Sequence, residues 1–277
     1  MYRAYYRLRE NPFNVTSDPG FLFLSPTHLE ALDHLHYGIE QRKGFLAITG
    51  EIGSGKTTLC RALINRLDAS TKVAFILNAV LPEIQLLDAI VEDFGIVAAR
   101  HTKGALIRKI NSFLLEQLSL GNNAVLIIDE AQNMRPSALE TVRMLSNLET
   151  EKEKLLQIVL VGQPQLKDKL DLPELVQLKQ RIAVRFHIRA LTEQEVGQYI
   201  RHRLSVAGSN GDIVFEDETI RAIHRYTRGI PRLINILADK ALLRGFVREI
   251  SLMDVGHIQA CIQELEGEPV VDEGKQP

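Results

Sequence analysis

Gly50-Glu51-Ile52-Gly53-Ser54-Gly55-Lys56-Thr57 stands between the apolar run Gly44-Phe45-Leu46-Ala47-Ile48-Thr49 and the helically spaced stretch Thr58-Leu59-Cys60-Arg61-Ala62-Leu63-Ile64. The order strand, glycine-rich turn, helix, with the spacing G-x-x-x-x-G-K-[ST], describes a phosphate-binding loop. Glycines let the backbone curl until several N–H groups point at one anion. Lys56 then meets the outer phosphates of a nucleotide as a point charge, and the Thr57 hydroxyl is placed to ligate Mg²⁺. Thr58 opens the following helix, whose positive dipole end also favours phosphate. Gly50, Glu51, Ile52, Gly53, Ser54, Gly55, Lys56, Thr57 and Thr58 are therefore expected around the nucleotide.

Hydrolysis of a nucleotide needs an acidic site as well, and Ala124-Val125-Leu126-Ile127-Ile128-Asp129-Glu130 supplies one. The apolar run suits a strand buried on both faces of a parallel sheet, with the two carboxylates at its C-terminal end, where ligands bind in open α/β sheets. Asp129 is expected to hold Mg²⁺, directly or through water, and Glu130 to polarise the attacking water as general base. A plainer role, capping the helix expected at 136–148, uses the same pair.

The composition is that of an ordinary soluble protein: 277 residues, 45% hydrophobic and 25% charged. Lys+Arg number 33 against 35 Asp+Glu, a formal charge of −2, so no global basic bias points to nucleic acid or anionic lipid. Cys60 and Cys261 have no partners at metal-ligand spacing. A disulfide framework is not expected, and a reducing cytosolic setting is. Met1-Tyr2-Arg3-Ala4-Tyr5-Tyr6 lacks a signal-peptide core, and no apolar run reaches membrane-helix length. His34 and His36 read as helix-surface residues rather than metal ligands.

Residues 1–26 combine aromatics with turn formers and read as a segment packing on the core. Apolar spacing predicts a helix over 27–41, strands over 45–49, 73–78, 125–128, 158–161 and 184–188, and helices over 57–67, 84–94, 103–118 and 137–148. That alternation implies an α/β domain over 27–190 with a five-stranded, mostly parallel sheet. From Thr192-Glu193-Gln194-Glu195, which has capping-box spacing, helical patterns continue through a small all-α lid domain over 191–266. Residues 267–277 are acidic and proline-bearing and read as a disordered tail or linker.

Three further places carry chemistry. Gln163 follows the fourth strand in Val159-Leu160-Val161-Gly162-Gln163-Pro164, beside the acidic pair, and is placed to hydrogen-bond the attacking water or the γ-phosphate. Arg181 and Arg185 flank the start of the last strand, and Arg232, in Gly229-Ile230-Pro231-Arg232, opens a helix of the small domain.

Taken together, the chain resembles the AAA+ ATPases, and within them the ExeA/GspA group of secretion-associated ATPases, from Met1 to about Leu265. The resemblance rests on Asn11-Pro12-Phe13, Ser25-Pro26-Thr27-His28-Leu29-Glu30-Ala31-Leu32, the phosphate loop, Asp129-Glu130-Ala131-Gln132, Val161-Gly162-Gln163-Pro164, Gln180-Arg181-Ile182 and Gly229-Ile230-Pro231-Arg232. It implies a P-loop NTPase fold, ATP with Mg²⁺, and an oligomer, ring or filament, whose active sites lie between subunits. Arg181 resembles the arginine finger that enters a neighbour's site, with Arg185 in reserve. Arg232 resembles the sensor that ties γ-phosphate state to lid angle, and Gln163 the other sensor. Pro12 and Phe13 are expected near the adenine or, equally, in a strap over the domain.

Members of the ExeA type usually continue into a membrane helix and a peptidoglycan-binding domain. This chain is accordingly expected to be the cytoplasmic part of a longer protein or a stand-alone relative, peripheral to or tethered at the inner membrane, with an envelope assembly partner. The alternative is a DNA-associated AAA+ regulator of the transposition type, using basic residues around Arg201-His202-Arg203, Lys240 and Arg244. A nucleotide-binding scaffold without turnover is disfavoured by the intact Lys56, Thr57, Asp129 and Glu130.

Overall fold

A computed structural model describes residues 1–16 and 18–267; of the tail expected at 267–277, residues 268–277 lie outside the described residues. In chain order the elements are α1 (Tyr2–Tyr5), α2 (Pro26–Glu40), β1 (Phe45–Gly50), α3 (Lys56–Arg66), β2 (Lys72–Ile76), α4 (Glu83–Asp93), α5 (Lys103–Ser119), β3 (Ala124–Ile128), α6 (Pro136–Leu145) and β4 (Gln157–Gly162). There follow α7 (Gln165–Leu170), α8 (Val176–Arg181), β5 (Ile182–Ile188), α9 (Glu193–Val206), β6 (Val214–Phe215), α10 (Asp217–Thr227), α11 (Pro231–Val247), β7 (Leu252–Met253) and α12 (Val255–Glu266). The chain divides into two compact units. One holds Pro26–Glu51 and Lys56–Ile188; the other holds Met1–Ser25, the loop tip Ile52–Gly55, and the described chain from Arg189 to Gly267.

The first unit is built on a five-stranded parallel sheet in the order β2-β3-β4-β1-β5. Alternate side chains serve opposite faces. Leu46, Ile48, Val125, Ile127, Val159 and Val161 meet Leu35 of α2 and Leu59 and Leu63 of α3. Ala47, Leu126, Ile128, Ile158 and Leu160 meet Ile90, Ile110 and Val142 of the helices on the other face. Coverage on both faces is why β3 and β4 show runs of apolar residues with no polar alternation. All five expected strands are present, their ends shifted by one or two residues. The helix expected at 137–148 starts at Pro136, whose fixed φ suits a first helical position, and stops at Leu145. Beyond it the chain turns back on itself, with Leu155 N–H donating to Leu148 O at 3.1 Å.

The second unit is mainly helical, α9 to α12. Thr192 and Glu195 form the expected capping box, with Thr192 N–H to Glu195 Oε2 at 2.7 Å and Glu195 N–H to Thr192 Oγ1 at 3.3 Å. The unit also contains a short parallel pair, Val214 with Leu252 and Phe215 with Met253, which the sequence reading did not include. Two residues are too few to display an alternation.

The N-terminal segment belongs to this helical unit. Tyr2, Tyr6, Leu8, Phe13 and Phe21 are buried with Leu204, Leu237 and Leu242. Tyr2 Oη donates to Asp239 Oδ1 at 2.5 Å and Tyr6 Oη to Ile250 O at 2.8 Å. Arg203, buried, donates to Pro12 O, to Asn14 O at 3.0 Å and to Tyr199 Oη at 3.3 Å, with its guanidinium 4.7 Å from the centre of the Phe21 ring. Carbonyls and ring faces thus compensate a buried cation.

The turn before α11 is sterically determined. Arg228 and Gly229 both take the left-handed conformation, at φ +51° and +73°. A Cβ on Gly229 would lie 1.9 Å from Leu191 O, whose own N–H donates to Gly229 O at 2.9 Å. Neither backbone can retreat without breaking that bond. Gly229→Ala is expected to cost about 3 kcal/mol or more, from the left-handed penalty and the overlap together. That corresponds to a melting temperature roughly 6–12 °C lower, measured by scanning calorimetry. A shift under about 2 °C would show that this turn adapts.

Candidate nucleotide site

β4 lies between β3 and β1, so the loop after β1, the acidic pair after β3 and Gln163 after β4 leave the same edge of the sheet. Within the loop, Gly53 and Gly55 have φ of +78° and +93°, conformations that a side chain disfavours. Lys56, only 5% exposed, turns its ammonium back into the loop and donates to Gly50 O and Glu51 O, each at 2.9 Å. Burial pulls its pKa below the usual lysine range, and the carboxylates of Glu130, Asp129 and Glu51 oppose that pull.

Thr57 Oγ1 donates to Asp129 Oδ2 at 2.5 Å, and Asp129 Oδ1 accepts from Glu130 N–H at 2.8 Å. A hydroxyl and a carboxylate side by side are hard oxygen donors. Mg²⁺ typically takes one or two such protein ligands and fills its remaining positions with water and phosphate oxygens. Among the described residues no cluster of three or more His, Cys, Asp or Glu has metal-binding geometry. The Thr57–Asp129 oxygen pair fits a Mg²⁺ held jointly with a nucleotide.

Glu130 has left-handed backbone at φ 53°, ψ 36°. A non-glycine residue there stores about 1–3 kcal/mol of strain, and such strain concentrates at functional sites. Its Oε2 accepts from Gln163 Nε2 at 3.0 Å and from Gln132 Nε2 at 2.5 Å. The structure thus brings Lys56, Thr57, Asp129, Glu130 and Gln163 together. It adds Gln132, which the sequence showed only as the last residue of a motif.

Of the remaining candidates, Arg232, Ile52 and Thr58 lie at or beside the loop, whereas Arg181, Arg185, Pro12 and Phe13 are engaged in other contacts. Arg232 is the second residue of α11, and its N–H donates to Gly53 O at 3.2 Å. A Cβ on Gly53 would sit 2.5 Å from Arg232 Cβ, so the glycine serves close approach as well as backbone conformation. Arg181 ends α8 and donates to Ser146 Oγ at 2.9 Å and Asn147 Oδ1 at 2.5 Å. Arg185, in β5, donates to Lys179 O at 2.5 Å. Phe13 is buried in the helical unit, and Pro12 contributes its carbonyl to Arg203. Ile52 is exposed at the loop tip, and Thr58 is half-buried in the first turn of α3.

A parallel sheet with a glycine loop, buried lysine, Thr–Asp pair and adjacent glutamate at one edge defines a P-loop nucleotide-binding protein. A family model described as an AAA domain matches residues 39–170. General secretion pathway protein A of Aeromonas hydrophila is 42% identical over 275 residues, 99% of this chain, and the chain spans 50% of that relative's length. The chain belongs to the AAA ATPases, in the group of general secretion pathway protein A.

Among solved structures, Cdc6p of Pyrobaculum aerophilum superposes with a TM-score of 0.66 at 14% identity, covering 88% of this chain and 70% of that one. The RuvB Holliday junction branch migration motor of Thermotoga maritima gives 0.57 at 18% identity, covering 86% and 68%. At these identities the likeness is one of fold.

Proposed function

We propose that this chain is a Mg²⁺-dependent ATPase that works as an oligomer, its site completed by Arg181 of a neighbouring copy, and that its cycle drives assembly of a bacterial envelope secretion or export apparatus. The observation that carries the chemistry is the joining of Thr57, Asp129, Glu130 and Gln163 at one sheet edge. The loop amides and Lys56 bind and orient the β- and γ-phosphates. Mg²⁺, when bound by Thr57 and Asp129, neutralises charge on the phosphate oxygens. Glu130 takes a proton from water as its oxygen bonds to the γ-phosphorus and the bond to the β–γ bridging oxygen breaks, releasing ADP and phosphate. Gln163, bonded to Glu130, orients that water, and Arg232 reports γ-phosphate state to the helix it begins.

The export role rests on the likeness to general secretion pathway protein A. Among the described residues no helix is long and apolar enough to cross a membrane. We place the chain on the cytoplasmic side of the inner membrane, held there by a partner. Of the residues that the DNA-associated reading uses, Arg203 is buried against the N-terminal segment and Lys240 and Arg244 both pair with Glu264, while Arg201 is exposed.

Lys56→Ala tests the site at its foundation. Losing a desolvated ammonium at the outer phosphates should weaken ATP binding by about 10²-fold. The melting temperature should stay close to wild type, since the ammonium's bonds are to its own loop. Titration calorimetry giving wild-type ATP affinity would remove the phosphate-loop assignment.

A further inference from the structure

The side chain of Gln132 joins two elements that the proposed chemistry needs in register. Its Nε2 donates to Glu130 Oε2 at 2.5 Å, and its Oε1 accepts from the Gln163 N–H at 3.0 Å. A carboxylate only accepts and a backbone N–H only donates, so these partners fix which end of the amide faces which. Gln163 closes the ring through its own Nε2, 3.0 Å from Glu130 Oε2.

Two independent features show that the chain makes room for this arrangement and holds it. Gly162 lacks the Cβ that would otherwise lie 2.7 Å from Gln132 Oε1. Gly162 itself is in β4 and its φ is not positive, so the requirement is one of space and not of backbone conformation. On the other side, Lys169 of α7 donates to Gln132 O and to Met134 O, the latter at 2.6 Å, clamping the 3₁₀ turn Ala131–Asn133 that follows the strained Glu130. Lys169 is partly desolvated there, and burial pulls its pKa below the usual lysine range.

We propose that Gln132 is a positioning residue for hydrolysis, tying the carboxylate of Glu130 to the end of β4 so that base and sensor move as one unit, with Lys169 fixing the turn that carries it. This rests on the reading of Glu130 as the base. Binding of ATP belongs to the loop and Lys56, so loss of the tie should appear in kcat and not in affinity. A misplaced base is costly because proton transfer tolerates little error in distance.

The test uses steady-state ATP hydrolysis and nucleotide titration of the whole chain. Gln132→Met keeps the length of the side chain and removes both hydrogen bonds. It should lower kcat by about 10²-fold while KM and ATP affinity stay within about threefold. Gly162→Ala, which leaves Gln132 chemically intact but displaces its amide, should lower kcat in the same way and decides the matter should Gln132→Met lose its fold. Because Gln132 acts through Glu130, adding Gln132→Met to Glu130→Gln should cost less than about twofold more. A kcat within about threefold of wild type in both Gln132→Met and Gly162→Ala overturns the proposal, as does a full multiplicative loss in the double variant. If Glu130→Gln itself keeps wild-type turnover, the base assignment falls and this proposal with it. Turnover lost in Glu130→Gln but kept in both Gln132→Met and Gly162→Ala overturns the tie alone.

Discussion

Glu130→Gln is expected to leave ATP affinity within about twofold of wild type while lowering hydrolysis by about 10²–10⁴-fold. The geometry gives the reason. Gln132 Nε2 and Gln163 Nε2 both donate to Glu130 Oε2. A glutamine at this position turns its own oxygen towards those two donors, which leaves its NH₂ in place of the second carboxylate oxygen. An amide nitrogen does not accept a proton from water, so the site keeps its shape and loses its base. Phosphate release in a single turnover, measured alongside fluorescent-nucleotide binding, separates the two effects. Turnover within about threefold of wild type would assign water activation to another group.

Arg181→Ala should bind ATP normally and hydrolyse it about 10³–10⁵ times more slowly, provided that copies assemble. Ile182, the next residue, pairs with Phe45 at the start of β1, whereas the phosphate loop leaves the other end of that strand at Gly50. Five steps of strand separate them by about 17 Å, further than an arginine side chain extends. Arg181 cannot serve the loop of its own sheet unit, so a catalytic part for it requires a second copy. Its hydrogen bonds to Ser146 and Asn147 are to neutral acceptors, which compete weakly with a developing phosphoryl charge.

Two measurements follow. Wild-type specific activity should rise with protein concentration. Mixing Arg181→Ala with Glu130→Gln chains should restore part of the activity, because one interface then pairs an intact base with an intact arginine. Co-assembly without rescue, together with concentration-independent turnover, would remove Arg181 from the reaction and turn attention to Arg185.

What the sequence discloses depends on how locally a constraint acts. A backbone that must curl around phosphate demands glycine at fixed positions, and a strand covered on both faces demands an unbroken apolar run. Both constraints are written within ten residues, at Gly50–Thr57 and at Ala124–Glu130. The capping box at Thr192 and Glu195 is equally local. Gln132 escaped notice because its second partner, the N–H of Gln163, is 31 residues away, and nothing in the spacing announces their meeting.

The N-terminal aromatics illustrate the same limit. Their composition told that they would be buried, but periodicity does not say against what, and their partners include Asp239 and Ile250. Arg203 looked like one cation on a basic helix face, whereas its guanidinium is surrounded by carbonyls and rings. An arginine's letter does not distinguish a solvated charge from a buried clamp.

Because every strand of the large sheet runs parallel to its neighbours, none can form by a hairpin with the strand before it. β1, the strand that launches the phosphate loop, lies between β4 and β5, and the bond from Gly44 N–H to Gln157 Oε1 that fastens its entrance spans 113 residues. On the ribosome, the loop that decides this protein's chemistry is thus made well before the strands on either side of β1 that support it. Until the chain has emerged through β4, the apolar face of β1 has no sheet to join and stays available to chaperones or to other nascent chains.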